Sequence, residues 1–247
     1  MDLNLTDRAF VVTGGTDGLG LSTARALLAE GARVLVSGRS ESKFADLRAT
    51  LGKQADRIAY LQGDNADPTL PEKLRKAIFD RWGRLDGLLV SVGGPPPSKA
   101  MATDDDAWRN AFESVFLGAV RMVRDLAPVM ADGSAIVLIL AISAKEASST
   151  IAISNGLRPG LAMLVKNFAE ELGPRNIRIN ALLPNLFETD RMKRVLGGSE
   201  PPVDIIALKR MGKPEELARM ATVLLSPVAS YVTGAAISID GGQLRSL

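Results

Sequence analysis

Residues 8–20 read RAFVVTGGTDGLG, and this stretch decides how the rest of the chain is interpreted. An apolar run from Arg8 to Val12 passes into a loop with glycines at positions 14, 18 and 20, and a helix-like stretch begins near Leu21. Such glycines permit a tight turn, close approach to a pyrophosphate, and packing of helix on strand. A helix N-terminus also supplies N–H donors for phosphate. The stretch predicts a dinucleotide-binding βα unit; the alternative is a tight turn with no ligand.

Short apolar runs alternate with longer amphipathic stretches along the whole chain. The strand-like runs lie near 8–13, 32–37, 57–62, 86–91, 135–142, 177–182 and 235–239. The helix-like stretches lie near 18–30, 41–51, 70–82, 105–129, 160–172 and 214–225. Because this alternation is typical of a parallel sheet covered on both faces, we predict an α/β fold. We expect a three-layer, doubly wound Rossmann fold with a seven-stranded parallel sheet, formed by residues 1–247 as a single domain.

Composition excludes several classes of function. The 247 residues contain no Cys and no His, so thiol nucleophiles, Cys/His zinc sites and a Ser-His-Asp triad are excluded. We predict no metal site, although carboxylate-only sites for Mg²⁺ or Ca²⁺ stay open. The net charge of +2 does not indicate a nucleic-acid-binding protein. No signal peptide or membrane span is recognisable, and we predict a cytoplasmic location with no membrane partner.

The end of the second predicted strand indicates the cofactor preference. Proteins that bind NAD place a carboxylate there for the ribose 2′-hydroxyl, but residues 36–40 read VSGRS and put Gly38 at that position. Arg39 follows, and a guanidinium suits a 2′-phosphate. We therefore predict NADP(H) in preference to NAD(H). The alternative for Arg39 is a solvated loop charge, and Asp17 opposes the prediction because it puts a like charge close to the phosphates.

Two segments interrupt the alternation of strands and helices. Residues 93–98, GGPPPS, directly follow a predicted strand, and their prolines forbid helix and stiffen the loop. Residues 185–210 form a long connection after another strand, where ligands of open α/β sheets bind, so we predict a lid. The apolar residues of this segment favour an apolar substrate.

The chain resembles the short-chain dehydrogenase/reductase family over nearly its whole length. The motif TGGTDGLG (13–20) matches the cofactor loop of that family, and ELGPRNIRIN (171–180), RMGKPEE (210–216), YVTG (231–234) and DGG (240–242) are similar to its consensus. Asp64-Asn65 looks like its adenine-contacting pair, and Thr189 resembles its nicotinamide contact. The loop and the resemblance together imply a cofactor site formed by Gly14, Thr16, Asp17, Gly18, Leu19, Gly20, Ser37, Arg39, Ser40, Asp64, Asn65, Ser91, Gly93, Arg158 and Thr189.

The catalytic residues of the family do not carry over. That family uses a Tyr as general acid, a Lys four residues later, a Ser thirteen residues before the Tyr, and an Asn in the preceding helix. In the order Tyr, Lys, Ser, Asn, the matching positions hold Ser154, Arg158, Ala141 and Val115. Neither Tyr60 nor Tyr231 is followed by Lys at that spacing, and the family motif Asn-Asn-Ala-Gly reads SVGG (91–94) here.

Three residues are the candidates for catalysis: Ser143, Ser154 and Arg158. Ser143 lies two residues beyond the aligned Ser position; the alternative is an ordinary strand-end hydroxyl bonded to backbone. Ser154 and Arg158 share one helix face at i and i+4 spacing, but the alternative for Ser154 is a helix N-cap. Pro159 is expected to disturb the backbone near Asn155 and to delay the start of the helix.

Two functions remain open. A branch of the family with a GGPPP loop and Ser-Asn-x-x-Arg in place of Tyr-x-x-x-Lys is similar to residues 93–97 and 154–158. The first function is an NADP(H)-dependent oxidoreductase acting on a carbonyl or alcohol, with a proton from water, Lys145, Glu146 or Lys193. The second is a catalytically silent NADP(H)-binding protein, a sensor or structural subunit. The resemblance also implies a homotetramer or dimer formed through helices 105–129 and 155–172.

Overall fold

The computed structural model describes residues 1–91 and 93–246, and its seven strands form one sheet. The strands are β1 (Ala9–Thr13), β2 (Arg33–Gly38), β3 (Ile58–Gln62), β4 (Gly87–Ser91), β5 (Ala135–Ile139), β6 (Arg178–Pro184) and β7 (Ala236–Ile239). All neighbours are parallel, in the order β3-β2-β1-β4-β5-β6-β7. The predicted doubly wound, seven-stranded fold is confirmed.

Helices pack on both faces of this sheet. They are α1 (Gly18–Ala29), α2 (Glu41–Ala49), α3 (Leu70–Trp82), α4 (Asp105–Ala111), α5 (Gly118–Leu126), α6 (Ala152–Leu172), α7 (Asp190–Leu196) and α8 (Pro214–Leu225). Two apolar cores result: one faces α3, α5 and α6, and the other faces α1 and α8. Within the described residues, none of the helices combines the length and apolar character needed to cross a membrane.

The structure corrects three of the predicted elements and adds one helix. The stretch 105–129 is not one α-helix, because π-helical residues Phe112–Leu117 separate α4 from α5 and a 3-10 turn occupies 127–129. The strand predicted to reach residue 142 ends at Ile139. The helix expected from residue 160 begins at Ala152, and the segment 185–210 contains the helix α7, which was not predicted.

Pro159 does not delay the start of α6, contrary to expectation. The proline lies inside the helix, seven positions after its first residue, and it removes only the hydrogen bond to the carbonyl of Asn155. Leu157, Leu161 and Val165 of α6 are buried in the core, and this packing offsets the loss. The full first two turns of α6 therefore lie beside the end of β5.

Gly118 brings the first turn of α5 against the loop that follows β3. A Cβ at this position would overlap the carbonyl oxygen of Asn65, which is backbone and cannot turn away. Gly118 is buried, whereas Gly173 at the end of α6 has open space where its Cβ would lie and a negative φ. The contact therefore fixes the position of the predicted adenine-contacting loop relative to the helix layer.

We expect Gly118→Ala to lower the free energy of unfolding by about 1–3 kcal/mol, because overpacking forces backbone to move. Urea denaturation measures the change. Gly173→Ala is the matched control and should change stability by less than about 0.5 kcal/mol. Equal stability of the two variants would contradict the proposed close packing at Gly118.

Candidate active site

The glycine loop connects β1 to α1 and is shaped by contacts that only glycine permits. Gly14 and Gly18 have φ of +60° and +51°, in the left-handed region. A Cβ on Gly14 would lie 3.2 Å from the carbonyl oxygen of Ser91 in β4, and one on Gly20 would overlap the carbonyl of Gly14. The loop therefore presents backbone N–H groups at the N-terminus of α1, beside the crevice between β1 and β4.

Thr189 closes the outer side of this loop. Its Cγ2 would lie 3.5 Å from a Cβ on Gly18, so any side chain at residue 18 would fill the gap between them. The Thr189 hydroxyl accepts the N–H of Met192 at 3.2 Å and caps α7. Thr189 therefore lies directly against the outer side of the glycine loop.

The end of β2 also fits the predicted preference for a phosphorylated ribose. A Cβ at Gly38 would lie 2.5 Å from the hydroxyl oxygen of Thr16, so this position has no room for the carboxylate of an NAD-binding protein. Arg39 is exposed beside it. The Asp17 carboxylate, the expected objection, forms an ion pair with Lys43. Ser40 is the N-cap of α2, accepting the N–H of Lys43 at 3.4 Å.

The remaining predicted cofactor residues lie at the same edge of the sheet. Ser37 is buried at the end of β2, and its carbonyl accepts the N–H of Gly15 at 3.0 Å. Asn65 donates to the carbonyl of Ser91 at 3.4 Å, and Asp64 accepts the N–H of Ala66 at 3.0 Å. Leu19 lies in the first turn of α1, and Gly93 is exposed after β4. Val92 of the SVGG motif lies outside the described residues.

The three candidate catalytic residues form one hydrogen-bonded chain. The hydroxyls of Ser143 and Ser154 are 3.0 Å apart, and the Nε–H of Arg158 donates to Ser154 Oγ at 2.9 Å. All three side chains are buried, with relative exposures of 3%, 6% and 4%. Ser143 lies on a 3-10 turn after β5, and the other two lie one turn apart on α6. These hydrogen bonds therefore join the turn after β5 to the helix α6 at the carboxyl edge of the sheet.

This geometry decides between the alternatives left open by the sequence. Ser154 is the third residue of α6, and Ile151 is at the N-cap, so the N-cap interpretation of Ser154 is wrong. Ser143 bonds to another hydroxyl instead of the backbone. Two hydroxyls that share one hydrogen bond retain one further hydrogen between them. Arg158 cannot accept this hydrogen, because a guanidinium only donates, and the hydrogen bond between the two serines does not use it. It is therefore available to an incoming hydrogen-bond acceptor.

The charge of Arg158 is strongly disfavoured at its position. Burial, followed by repulsion from Arg191, lowers the pKa of Arg158 to about 10. Its Nη1 is enclosed and has no hydrogen-bond partner. At neutral pH the guanidinium is still protonated, so the site contains a desolvated cation next to the serine pair. Such a cation stabilises negative charge far more effectively than one in water.

Arg191 is a site residue that the sequence reasoning missed. Its guanidinium donates from Nη1 to the carbonyl of Gly94 at 2.6 Å and from Nη2 to the carbonyl of Pro95 at 3.0 Å. It therefore ties α7 to the proline loop. A signal was present: an arginine in the first turn of a helix opposes the helix dipole, which indicates a purpose other than helix stability. Because α7 was not predicted, that signal was not visible.

The proline loop is also held on its other side. The N–H of Ser98 donates to the carbonyl of Thr150 at 2.8 Å, and the N–H of Ala152 donates to the carbonyl of Ser98 at 3.1 Å. The loop therefore bridges α7 and the start of α6.

The other residues considered for proton transfer lie at the surface. Lys145 and Glu146 are exposed beyond Ser143, and Lys193 is exposed on α7, 3.6 Å from Asp190. Val115, at the Asn position of the family, is buried in the π-helical segment. Tyr60 donates to the carbonyl of Gly38 at 2.8 Å, and Tyr231 is fully exposed near the C-terminal end of the chain.

Comparisons with known proteins agree with this architecture. A family profile described as enoyl-(acyl carrier protein) reductase matches residues 14–243. Dehydrogenase/reductase SDR family member 4 of Oryctolagus cuniculus is 30% identical over 250 residues, covering 96% of this chain and 94% of that protein. The chain therefore belongs to the short-chain dehydrogenase/reductase family.

Solved structures show the same fold at full length. L-sorbose reductase from Gluconobacter frateurii, complexed with NADPH and L-sorbose, has a TM-score of 0.93 and 28% identity, and all of both chains is covered. The NADPH-bound short chain oxidoreductase from Pseudomonas aeruginosa PAO1, described as containing an atypical catalytic center, has a TM-score of 0.89 and 27% identity. That match covers 98% of this chain and all of the other.

We expect Arg158→Met to leave the free energy of unfolding unchanged or to raise it by up to about 4 kcal/mol, because it removes a buried and incompletely paired charge. Arg178→Met is the matched control. The Arg178 guanidinium donates to the carbonyls of Leu224 and Ser226, each at 2.8 Å, so its loss should cost about 2–4 kcal/mol. Urea denaturation compares the two variants. A loss for Arg158→Met as large as that for Arg178→Met would contradict this account.

Proposed function

We propose that the protein is an NADPH-dependent reductase of a carbonyl compound, in which a Ser-Ser-Arg chain replaces the usual Tyr-Lys pair. The observation that carries this proposal is the hydrogen-bonded chain from Arg158 through Ser154 to Ser143. The glycine loop follows β1 and the Ser143 turn follows β5, so both lie at the carboxyl edge of the same parallel sheet, where Thr189 contacts Gly18. The glycine loop and the hydrogen-bonded side chains of Ser143, Ser154 and Arg158 therefore lie at the same edge of the sheet.

The cofactor would be held mainly by the backbone. The N–H groups of residues 14–20 and the N-terminus of α1 would bind the pyrophosphate, and Arg39 would pair with the 2′-phosphate. Asp64 and Asn65 would contact the adenine end, and Ser91, Gly93 and Thr189 the nicotinamide end. When bound, NADPH supplies a hydride to the substrate carbon.

The side chains supply polarisation and charge. The free hydroxyl hydrogen of the serine pair donates to the carbonyl oxygen, and the desolvated cation of Arg158 stabilises the negative charge that develops there. Arginine does not donate its proton at neutral pH, so the proton that completes the alcohol comes from water through the serine hydroxyl facing the oxygen. Polarisation and proton supply are thus divided between two groups, whereas one tyrosine normally performs both.

Two relatives support this proposal. The Pseudomonas oxidoreductase combines bound NADPH with a catalytic center described as atypical, and the Gluconobacter reductase also binds NADPH. The alternative of a silent sensor or structural subunit would retain cofactor binding without turnover. The homotetramer or dimer implied by the resemblance and the cytoplasmic location stay predictions.

We expect Arg39→Ala to weaken NADPH binding about tenfold to a hundredfold, because a hydrogen bond between charged groups contributes about 1.5–3 kcal/mol. Binding of NADH should change little, because NADH lacks the 2′-phosphate. Calorimetric titration with each nucleotide measures both affinities. Lys53→Ala, which removes an exposed charge outside the site, is the control. Equal loss for both nucleotides would remove Arg39 from the 2′-phosphate site.

We expect Ser154→Ala to lower kcat by about 10²–10³-fold, which is typical of losing one donor to a developing oxyanion. NADPH affinity should remain within about threefold of the original, because the loop is untouched. NADPH oxidation against a panel of ketones and aldehydes provides the rate, with the exposed Ser149→Ala as control. NADPH binding with no turnover of any panel member in the unchanged protein would favour the silent alternative.

A further inference from the structure

The helix α7 contributes no buried side chain to either apolar core. None of its seven residues is buried, and a helix of this length is not stable in water by itself. In the described part of the chain, Arg191 makes the only side-chain hydrogen bonds that join α7 to a distant segment. Its guanidinium donates to the carbonyls of Gly94 and Pro95, at 2.6 and 3.0 Å. The position of α7 therefore depends strongly on this one side chain.

The partner of Arg191 in the proline loop is close and stiff. A Cβ at Gly94 would overlap Nη2 of Arg191, so only glycine leaves room for the guanidinium there. Pro95 begins a run of three prolines, which restricts the backbone. Directly after that run, the N–H of Ser98 donates to the carbonyl of Thr150 at 2.8 Å. Arg191 is therefore bonded to a rigid segment that is itself anchored at its other end.

The N-terminal end of α7 lies at the glycine loop. Thr189 is the N-cap of this helix, and its hydroxyl accepts the N–H of Met192 at 3.2 Å. Its Cγ2 would lie 3.5 Å from a Cβ on Gly18. Because Thr189 is bonded to the helix that Arg191 anchors, any movement of α7 moves Thr189 relative to the glycine loop. The segment from Thr189 to Arg191 thus contacts the loops after β1 and β4, on both sides of the crevice.

We propose that Arg191 is a positioning residue of the cofactor site. By anchoring α7 to the proline loop, it holds Thr189 against the glycine loop, at the nicotinamide end of the dinucleotide. This inference rests on the proposed function for the location of the cofactor and does not depend on hydride transfer. Loss of either side of the contact, the guanidinium of Arg191 or the free space at Gly94, then weakens binding of the nicotinamide half and leaves the adenosine half unchanged.

The alternative is that Arg191 attracts an anionic nucleotide by its charge alone. Two variants separate these roles. Gly94→Ala changes no charge, and the atoms in its way belong to the end of a flexible side chain, so the added methyl group displaces the guanidinium and not the backbone. Arg191→Lys keeps the charge, but an ammonium group lacks the planar fork that donates to two carbonyls at once.

Hydrogen exchange of the nucleotide-free protein tests the anchoring of α7. We expect the amides of α7 to exchange about tenfold faster in Arg191→Gln and in Gly94→Ala, because hydrogen bonds from a charged group oppose local opening. The double variant should exchange no faster than either single variant, because both remove the same contact. The controls are Arg194→Gln, an exposed residue of the same helix, and Gly173→Ala, where a Cβ meets open space. Unchanged exchange in both single variants would overturn the inference.

Calorimetric titration tests the consequence for the cofactor. The ligands are NADPH and adenosine 2′,5′-bisphosphate, which lacks the nicotinamide half. We expect Arg191→Gln and Gly94→Ala to weaken NADPH binding about tenfold and to leave the affinity for the bisphosphate within about twofold. Arg191→Lys should restore NADPH affinity only in part. An equal loss for both ligands, full affinity for NADPH in Gly94→Ala, or full rescue by lysine would overturn the inference.

The two proposals fail in different ways. NADPH that binds to the unchanged protein without turnover of any carbonyl compound would contradict the proposed function, while the affinities of the variants would still decide the role of Arg191. Turnover with unchanged NADPH affinity in Arg191→Gln would contradict the inference alone. Absence of NADPH binding to the unchanged protein would overturn both.

Discussion

The parallel pairing of β1 with both β2 and β4 is the constraint on which the rest of this structure depends. The chain adds β2 and β3 on one side of β1 and then β4 to β7 on its other side. The loops after β1 and β4 therefore lead to opposite faces of the sheet and leave a crevice between them. Gly14 closes the base of that crevice against Ser91, and the ends of the other strands meet along the same edge. The glycine loop, the proline loop and the serine pair each follow a strand of the parallel sheet, and the carboxyl ends of these strands all lie at one edge. The three features are therefore at the same edge of the sheet.

The two sides of the crevice follow different physical rules. The cofactor side is built from backbone N–H groups and positive-φ glycines, so it tolerates changes in surrounding side chains while the spacing of glycines is kept. The side that we propose is catalytic depends on the identity of three buried polar side chains. This division explains how a chain of the short-chain dehydrogenase/reductase family retains the glycine loop while a tyrosine is absent from the aligned position of the general acid.

The sequence predicts the seven strands and the glycine loop well because both rest on short-range patterns. Pro159 was misjudged because tertiary packing of α6 outweighs the cost of one interior proline. The helix α7 was missed because its seven residues are too short for periodicity to reveal. The hydrogen bonds from Arg191 to the proline loop join residues about 97 positions apart, and no local pattern encodes such a contact.

The cost of burying Arg158 argues that the cation is there for a reaction or a ligand. A methionine of similar length would fill the same space without desolvating a charge, and Arg178 shows that this chain pairs a buried guanidinium fully where stability is the purpose. A buried cation that is incompletely paired raises the free energy of the folded protein. Pairing with an incoming negative charge lowers that free energy again. The released free energy is greatest when the negative charge is fully formed, which is the condition reached during hydride transfer to a carbonyl.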